Sequence, residues 1–285
     1  MHTKKPKVSA CIITYNHEKF LRKCLDGAIS QNLDFPYEIV IGEDKSTDNT
    51  LAICKEYQNR YPDLIRLIER PANLGMLGNW TGTLGECNGE YIAVCEGDDY
   101  WIDPDKLKKQ IDFLDKNRQY VLCGSKVKSS NENGEEGESG GKKYGAVSLE
   151  DILWRNQFTT CSVVLRKEAL DIPPFKNFSR YFTPDWTVWC SVLQYGKGYN
   201  FKEITAQYNI HSAGATSGRN RVNALRNKLE DRMLMMENFP AHKQRIKKYG
   251  LKIIFHYMWK SLLLKKSYSQ ALSKNRKLVL NYLNC

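Results

Sequence analysis

No run of apolar residues in this chain approaches the roughly 20 needed to cross a bilayer. The N-terminal Met1-His2-Thr3-Lys4-Lys5-Pro6-Lys7 is charged but leads directly into a short β-rich run, so it does not read as a secretion signal. Both absences point to the cytoplasm. No C-x-x-C pair occurs among the nine scattered cysteines, which argues against a zinc knuckle or a disulfide framework. Most of them, like Cys11, Cys95, Cys123 and Cys161, lie inside apolar runs, as buried thiols in a reducing compartment do. There is no internal repeat, and hydrophobic residues at 41% exclude a disordered chain. Acids become scarce from Arg219 onward, and the net charge of the 285 residues is +11. That excess leaves nucleic acid, an anionic membrane surface and a phosphate-rich substrate as partners to be weighed.

What is present is an alternation. Val8 to Thr14 is a short apolar strand ending in Thr14-Tyr15-Asn16. Residues 17 to 31 place Phe20, Leu21, Cys24, Leu25, Ala28 and Ile29 at helical spacing, with His17 at the helix start. Tyr37 to Gly42 is a second strand, and Ser46 with Asp48 marks a helix running to about Tyr61. Leu64 to Ile68, a Gly-broken helix from Asn73 to Cys87, and Tyr91 to Cys95 continue the pattern. Such alternation predicts a mostly parallel, doubly wound α/β sheet flanked by helices. The fourth strand stops at Gly97-Asp98-Asp99-Tyr100-Trp101. Adjacent carboxylates at the carboxyl end of a strand suit Mg²⁺ or Mn²⁺, which keep open positions for phosphate oxygens. Two solvated turn residues would give the same letters.

Further on, a helix from Pro104 to Asn117 is expected behind Asp103, then a strand from Tyr120 to Val127. Residues 129 to 146 are almost free of apolar side chains and read as a loop. Thr159 to Leu165 returns to strand character. Thr183-Pro184-Asp185 opens a helix, with Asp185 in its first turn, and Ala206 to Ile210 is a short strand. His211 to Gly218 is small and polar, as a lid would be. From about Arg221 to Asn281 the pattern is helical with a basic face. Within it, Leu251 to Lys266 mixes aromatics, aliphatics and lysines; it suits either an anionic membrane interface or a helix packed on the catalytic domain.

The ordered set Val8-Ser9-Ala10-Cys11-Ile12-Ile13-Thr14-Tyr15-Asn16, Glu38 to Asp48, Asn73-x-Gly75, and Gly89-Glu90-Tyr91-Ile92 leading to Asp98-Asp99 resembles family 2 glycosyltransferases with the GT-A fold. The resemblance covers roughly residues 7 to 215. It implies a GT-A domain over 1–220, with 7–127 as the nucleotide-sugar half and 128–220 as the acceptor half, followed by a basic helical extension at 221–285. It further implies a divalent metal and a UDP-sugar donor. The acceptor would be a glycan or lipid-linked saccharide, as in bacterial surface polysaccharide assembly at the inner face of the membrane. Nucleic acid is not an expected partner of a carboxylate-lined crevice.

Residue by residue, the resemblance places Thr14, Tyr15 and Asn16 near the nucleotide base and Asp44 on the uracil ring. Asp98 falls on ribose or behind the metal, and Asp99 on the metal. Asp185 is the base that activates the acceptor, and His211, in Tyr208-x-x-His211, a further metal ligand. Asn79 and Trp101 join the donor site by position. Two departures stand out. The helix-opening acid follows Pro184, where the family often has Glu. Gly78 stands where many members carry an arginine before the residue matching Asn79, so one usual phosphate or base contact is either missing or supplied elsewhere, as by Arg219 or Arg221. Two rival readings remain. A sugar nucleotidyltransferase would need a Gly-rich basic loop after the first strand, which Thr14-Tyr15-Asn16-His17 lacks. A non-catalytic polyanion-binding module would need a clustered basic face and steep salt dependence.

Overall fold

A computed structural model describes residues 5–170, 181–212, 214, 221–263 and 266–285. Strand β1 (Val8–Thr14) is buried along its whole length, as the unbroken run VSACIIT requires of a strand covered on both faces. β2 (Tyr37–Glu43) and β4 (Tyr91–Glu96) flank it in parallel, and β3 (Ile65–Glu69) extends the sheet beyond β2. Between them run α1 (Leu21–Ile29), α2 (Thr50–Arg60) and α3 (Gly75–Glu86). α1 buries Leu21, Cys24, Leu25 and Ala28, the spacing read from the sequence.

Beyond β4 come β5 (Tyr100–Trp101), α4 (Lys106–Lys116) and β6 (Tyr120–Asn131). β7 (Glu136–Ser139) folds back on β6, β8 (Gly145–Val147) follows, and α5 (Leu149–Trp154) starts in a reciprocal Ser148–Asp151 capping box. β9 (Val164–Arg166) is wedged antiparallel between β4 and β6. α6 (Pro184–Val192) leads to the long β10 (Lys197–Ile210), which runs parallel to β6. The strand order is β3-β2-β1-β4-β9-β6-β10-β5, so the sheet is mixed α/β with a parallel first half.

Several boundaries differ from the sequence expectation for identifiable reasons. The stretch 129–146 is a hairpin, not an open loop. Its second strand carries no apolar pattern because Glu138 and Glu136 pair with Lys126 and Lys128 at 2.7 and 2.8 Å. β10 starts nine residues earlier than Ala206; register shifts around Ile204 interrupt the alternation that would have revealed it. The strand expected over Thr159–Leu165 is shortened because Thr160–Ser162 form a 3₁₀ turn. Neither Ser46 nor Asp103 caps the helix that the sequence pattern expects it to open. The Ser46 hydroxyl accepts from the Asn16 N–H, the Asp103 carboxylate accepts from the Asp105 N–H, and the helices start at Thr50 and Lys106.

The chain forms two compact units, residues 1–172 with 189–210, and 173–188 with 211–285. This division departs from a boundary after residue 220. The reason is local to the second unit: the Phe182 N–H and Thr183 hydroxyl both donate to Asp231 of α7 (Arg221–Asn238), at 2.8 and 2.5 Å. Thr183 thereby spends its side chain on α7. The second unit continues with α8 (Lys243–Leu262), α9 (Lys266–Lys274) and α10 (Arg276–Asn284). There Tyr282 seats its ring on Gly250 and donates to the Ile246 carbonyl at 3.1 Å. No helix among the described residues is long and apolar enough to cross a membrane.

Candidate active site

The parallel register sets Ile13 of β1 beside Gly42 of β2 and Glu96 of β4, so the three chains leave the sheet together. Two backbone bonds hold that edge level: the Asp44 N–H donates to the Thr14 carbonyl at 3.0 Å and the Gly97 N–H to the Ile13 carbonyl at 2.8 Å. A crevice at the carboxyl ends of parallel strands is where open α/β sheets bind ligands.

The loops after β1 and β2 are laced to each other. Asn16 adopts φ +55° and Lys45 φ +63°, conformations unusual outside glycine. Asn16 gives its N–H to Ser46 Oγ at 3.0 Å and accepts the Thr47 N–H on Oδ1 at 2.8 Å. The Glu43 carboxylate accepts the Lys45 and Ser46 N–H groups at 3.2 and 2.7 Å. Tyr15 stands exposed between these anchors. Asp44 is buried, and its Oδ1 accepts the Leu74 N–H at 2.8 Å, joining the end of β2 to the start of α3.

Asp98 and Asp99 turn the chain at the end of β4, with the Asp99 N–H returned to the Glu96 carbonyl. Asp99 is buried and its Oδ1 accepts the Asn209 N–H at 2.8 Å. The Asn209 side-chain amide donates to the Asp98 carbonyl at 2.6 Å, so one residue of β10 clamps both acids. Burial, then the neighbouring Asp98 charge, push the Asp99 carboxyl well above the usual carboxylate range. His17 lies across the mouth of this turn. Its Nδ1 is 3.3 Å from Thr14 Oγ1 and its Nε2 is 3.7 Å from an Asp98 oxygen.

The structure therefore brings Thr14, Asn16, Asp44, Asp98 and Asp99 to one edge and adds His17 and Asn209. In the sequence His17 stands as a helix start, and nothing singles out Asn209. The only hint was that both lie within motifs already singled out, at Thr14-Tyr15-Asn16-His17 and Tyr208 to His211. Two predicted donor-site residues lie inside the fold. Trp101 is buried; its indole N–H donates to the Cys161 carbonyl at 2.8 Å, and the Lys106 ammonium sits 4.6 Å from the ring centroid. It is a core residue and offers no open stacking face. Asn79 spends its amide N–H on the Gly42 carbonyl at 2.7 Å and its oxygen on Arg70 at 3.2 Å, so it braces β2 from below.

Asp185 occupies the first turn of α6, as expected, within the second compact unit, which also holds His211. Arg221 donates to Ser267 and Tyr268 in that unit, and Arg219 lies outside the described residues, as does most of the small polar stretch expected as a lid. No three His, Cys, Asp or Glu side chains converge among the described residues. The chain itself thus offers a cation two adjacent carboxylates at this edge, one partly exposed and one buried.

The sequence profile of Glycosyl transferase family 2 matches residues 9–173. An uncharacterized protein of Mycobacterium tuberculosis is 36% identical over 210 residues, which is 73% of this chain and 60% of that relative. The chain thus spans 60% of the relative's length. Among solved structures, Staphylococcus aureus TarS 1–349 in complex with UDP-GlcNAc superposes with a TM-score of 0.67 at 20% identity, over 96% of this chain and 81% of that one. A mannosyltransferase from Pyrobaculum calidifontis, in complex with GDP-Man and Mn²⁺, superposes with a TM-score of 0.63 at 15% identity, over 96% and 76%. At such identities these structures establish the fold.

Proposed function

The chain belongs to glycosyl transferase family 2, and from that premise we propose that it moves a sugar from a nucleotide-sugar donor, of the UDP class, to a hydroxyl of a glycan or lipid-linked saccharide, with inversion at the anomeric carbon. The observation that carries this reading is the clamped pair Asp98–Asp99 at the edge shared with Thr14 and Asp44. TarS in complex with UDP-GlcNAc supports the donor class. The mannosyltransferase with GDP-Man and Mn²⁺ supports a metal-bound diphosphate.

The donor set fits a hard divalent cation. Asp98 and Asp99 offer oxygen ligands too few to enclose an ion, as in sites completed by phosphate oxygens. A dication there would also favour the ionised form that burial and Asp98 disfavour at Asp99. Asp99 and Asp98 would hold the metal, with His211 as a further ligand; when bound, it supplies Lewis-acid stabilisation of charge on the departing diphosphate. Asp44 and the exposed Tyr15 would bind the base, with Thr14 and Asn16 fixing their loops. Asp185 would take the proton of the acceptor hydroxyl as it attacks, in one displacement with oxocarbenium character. A lipid-carried acceptor would bring the chain to the cytoplasmic face of a membrane, with the basic C-terminal helices as the contact.

A panel of nucleotide sugars with Mn²⁺ or Mg²⁺, scored for nucleoside diphosphate release, tests this reading. One donor should be turned over, chelation should abolish release, and Asp99→Ala should lose donor binding. Unchanged nucleotide affinity in Asp99→Ala, with no donor turned over by the parent, would sink it. Asp185→Asn should keep donor affinity and lose transfer by about 10²-fold or more; retained transfer removes Asp185 as the base.

A further inference from the structure

The second compact unit has a surface that folding leaves uncovered. α8 buries Ile246, Gly250, Ile254 and Tyr257 along one stripe. The opposite stripe is split in two along the helix axis. Its first half carries the exposed Arg245, Lys248 and Lys252. Its second half carries Phe255, Met258, Trp259 and Leu262, exposed by 69, 48, 57 and 78%. The spacing i, i+3, i+4, i+7 puts these four side chains on one face within about two turns, or roughly 10 Å. Four large apolar side chains open to water in one patch are a binding surface rather than scattered exposure. Their exposed neighbour Leu263 enlarges the patch.

The charge around the patch identifies what covers it. From Phe239 to Cys285 the sequence has eleven Lys or Arg and not one Asp or Glu. A second copy of the chain is a poor occupant. Parallel apposition of two such stripes would set basic half against basic half, and antiparallel apposition would press lysines onto the aromatic half. An acidic protein surface would satisfy the lysines but give Phe255, Met258, Trp259 and Leu262 no apolar partner. An anionic lipid surface provides both, with phosphate headgroups for the basic half and acyl chains for the apolar half. Trp259, with the Lys260 ammonium 4.8 Å from its ring centroid, pairs an apolar body with a cation, as side chains at the headgroup level do.

We propose that the exposed face of α8 docks obliquely on an anionic membrane, with Phe255, Met258, Trp259 and Leu262 among the acyl chains and Arg245, Lys248 and Lys252 on headgroup phosphates. This deepens the lipid-linked acceptor reading by naming the surface and the lipid class, but it stands on surface chemistry and not on transfer.

The test is flotation of the full chain with vesicles of phosphatidylcholine alone or mixed equally with phosphatidylglycerol. The chain should float with the anionic vesicles at least about tenfold better than with the neutral ones. Its emission should shift to the blue on binding, and Trp259→Phe should remove that shift while leaving flotation largely intact. The double change Phe255→Ser with Leu262→Ser, and separately Lys248→Glu with Lys252→Glu, should each cut flotation about tenfold or more with unchanged helical circular dichroism. Both pairs are exposed, and the circular dichroism separates loss of fold from loss of docking. Failure to float with anionic vesicles overturns the proposal, as does equal binding to neutral ones. A serine variant that turns a dimer into a monomer, with no vesicle binding in the parent, would assign the patch to a second copy instead. Donor turnover with a soluble acceptor is read separately, so failure here and failure of the transfer reading are distinguishable.

Discussion

Gly97 decides whether the crevice can form. A Cβ at this position would stand 2.6 Å from Thr14 Oγ1 and 2.9 Å from His17 Nδ1. The chain must pass this close because its N–H is bonded to Ile13 of the adjacent strand. Gly97→Ala should therefore displace Thr14 and push His17 away from Asp98, costing about 1–3 kcal/mol in urea denaturation, with weaker nucleotide binding by titration. Gly85 provides the matched control, since a Cβ there meets nothing within 4 Å on the exposed side of α3. Gly85→Ala should stabilise by about 0.5–1 kcal/mol and leave nucleotide affinity unchanged. The acid pair was legible as charge at the end of an apolar strand; a solvated turn gives the same letters, and only the ordered motifs around it mark the pair out. His17 was not: its claim to the site rests on β1 and β4 being neighbours, a fact of pairing that no local pattern carries.

Strands β1, β2 and β4 and helix α1 were legible for a physical reason. Each is apolar on every face the fold covers, so periodicity and burial say the same thing. β7 and β10 broke that agreement. β7 owes its pairing to Lys–Glu contacts across the hairpin, and β10 is bulged near Ile204. The cost to site prediction was Asn209, which only a β10 running beside the β4 turn can supply. Asn209→Ala should remove the bond from its side-chain amide to the Asp98 carbonyl while leaving its own N–H on Asp99. About 1–2 kcal/mol of stability should go with it, and donor titration should show a several-fold rise in Kd. An unchanged Kd would mean that the turn holds its shape without the clamp.

Across the whole molecule, eight of the nine cysteines are free thiols in the interior. Burial raises the thiols of Cys54, Cys95, Cys123 and Cys161, with Cys123 pushed up to about 12. A group whose value is higher folded than unfolded supports the fold fully below its unfolded value and loses that support as pH rises. Stability should thus fall from about pH 8.5 upward, read by urea denaturation in reductant at stepped pH. Lys106 acts in the opposite sense. Burial lowers its ammonium to about 8, so it opposes folding most at neutral pH and progressively less between 8 and the unfolded value of 10.5. Lys106→Met, which forfeits the 2.7 Å bond to Gln110, should gain about 1–2 kcal/mol at pH 7 and then show the steeper alkaline fall. The amide that fixes Asp99 belongs to a residue 110 positions downstream. On a ribosome, β1 to β4 can pair while most of the chain is still unmade, but the two acids must wait for β10 before their positions are set. The sheet edge can thus begin to form before β10 is made, and its acid pair is fastened only once β10 is in place.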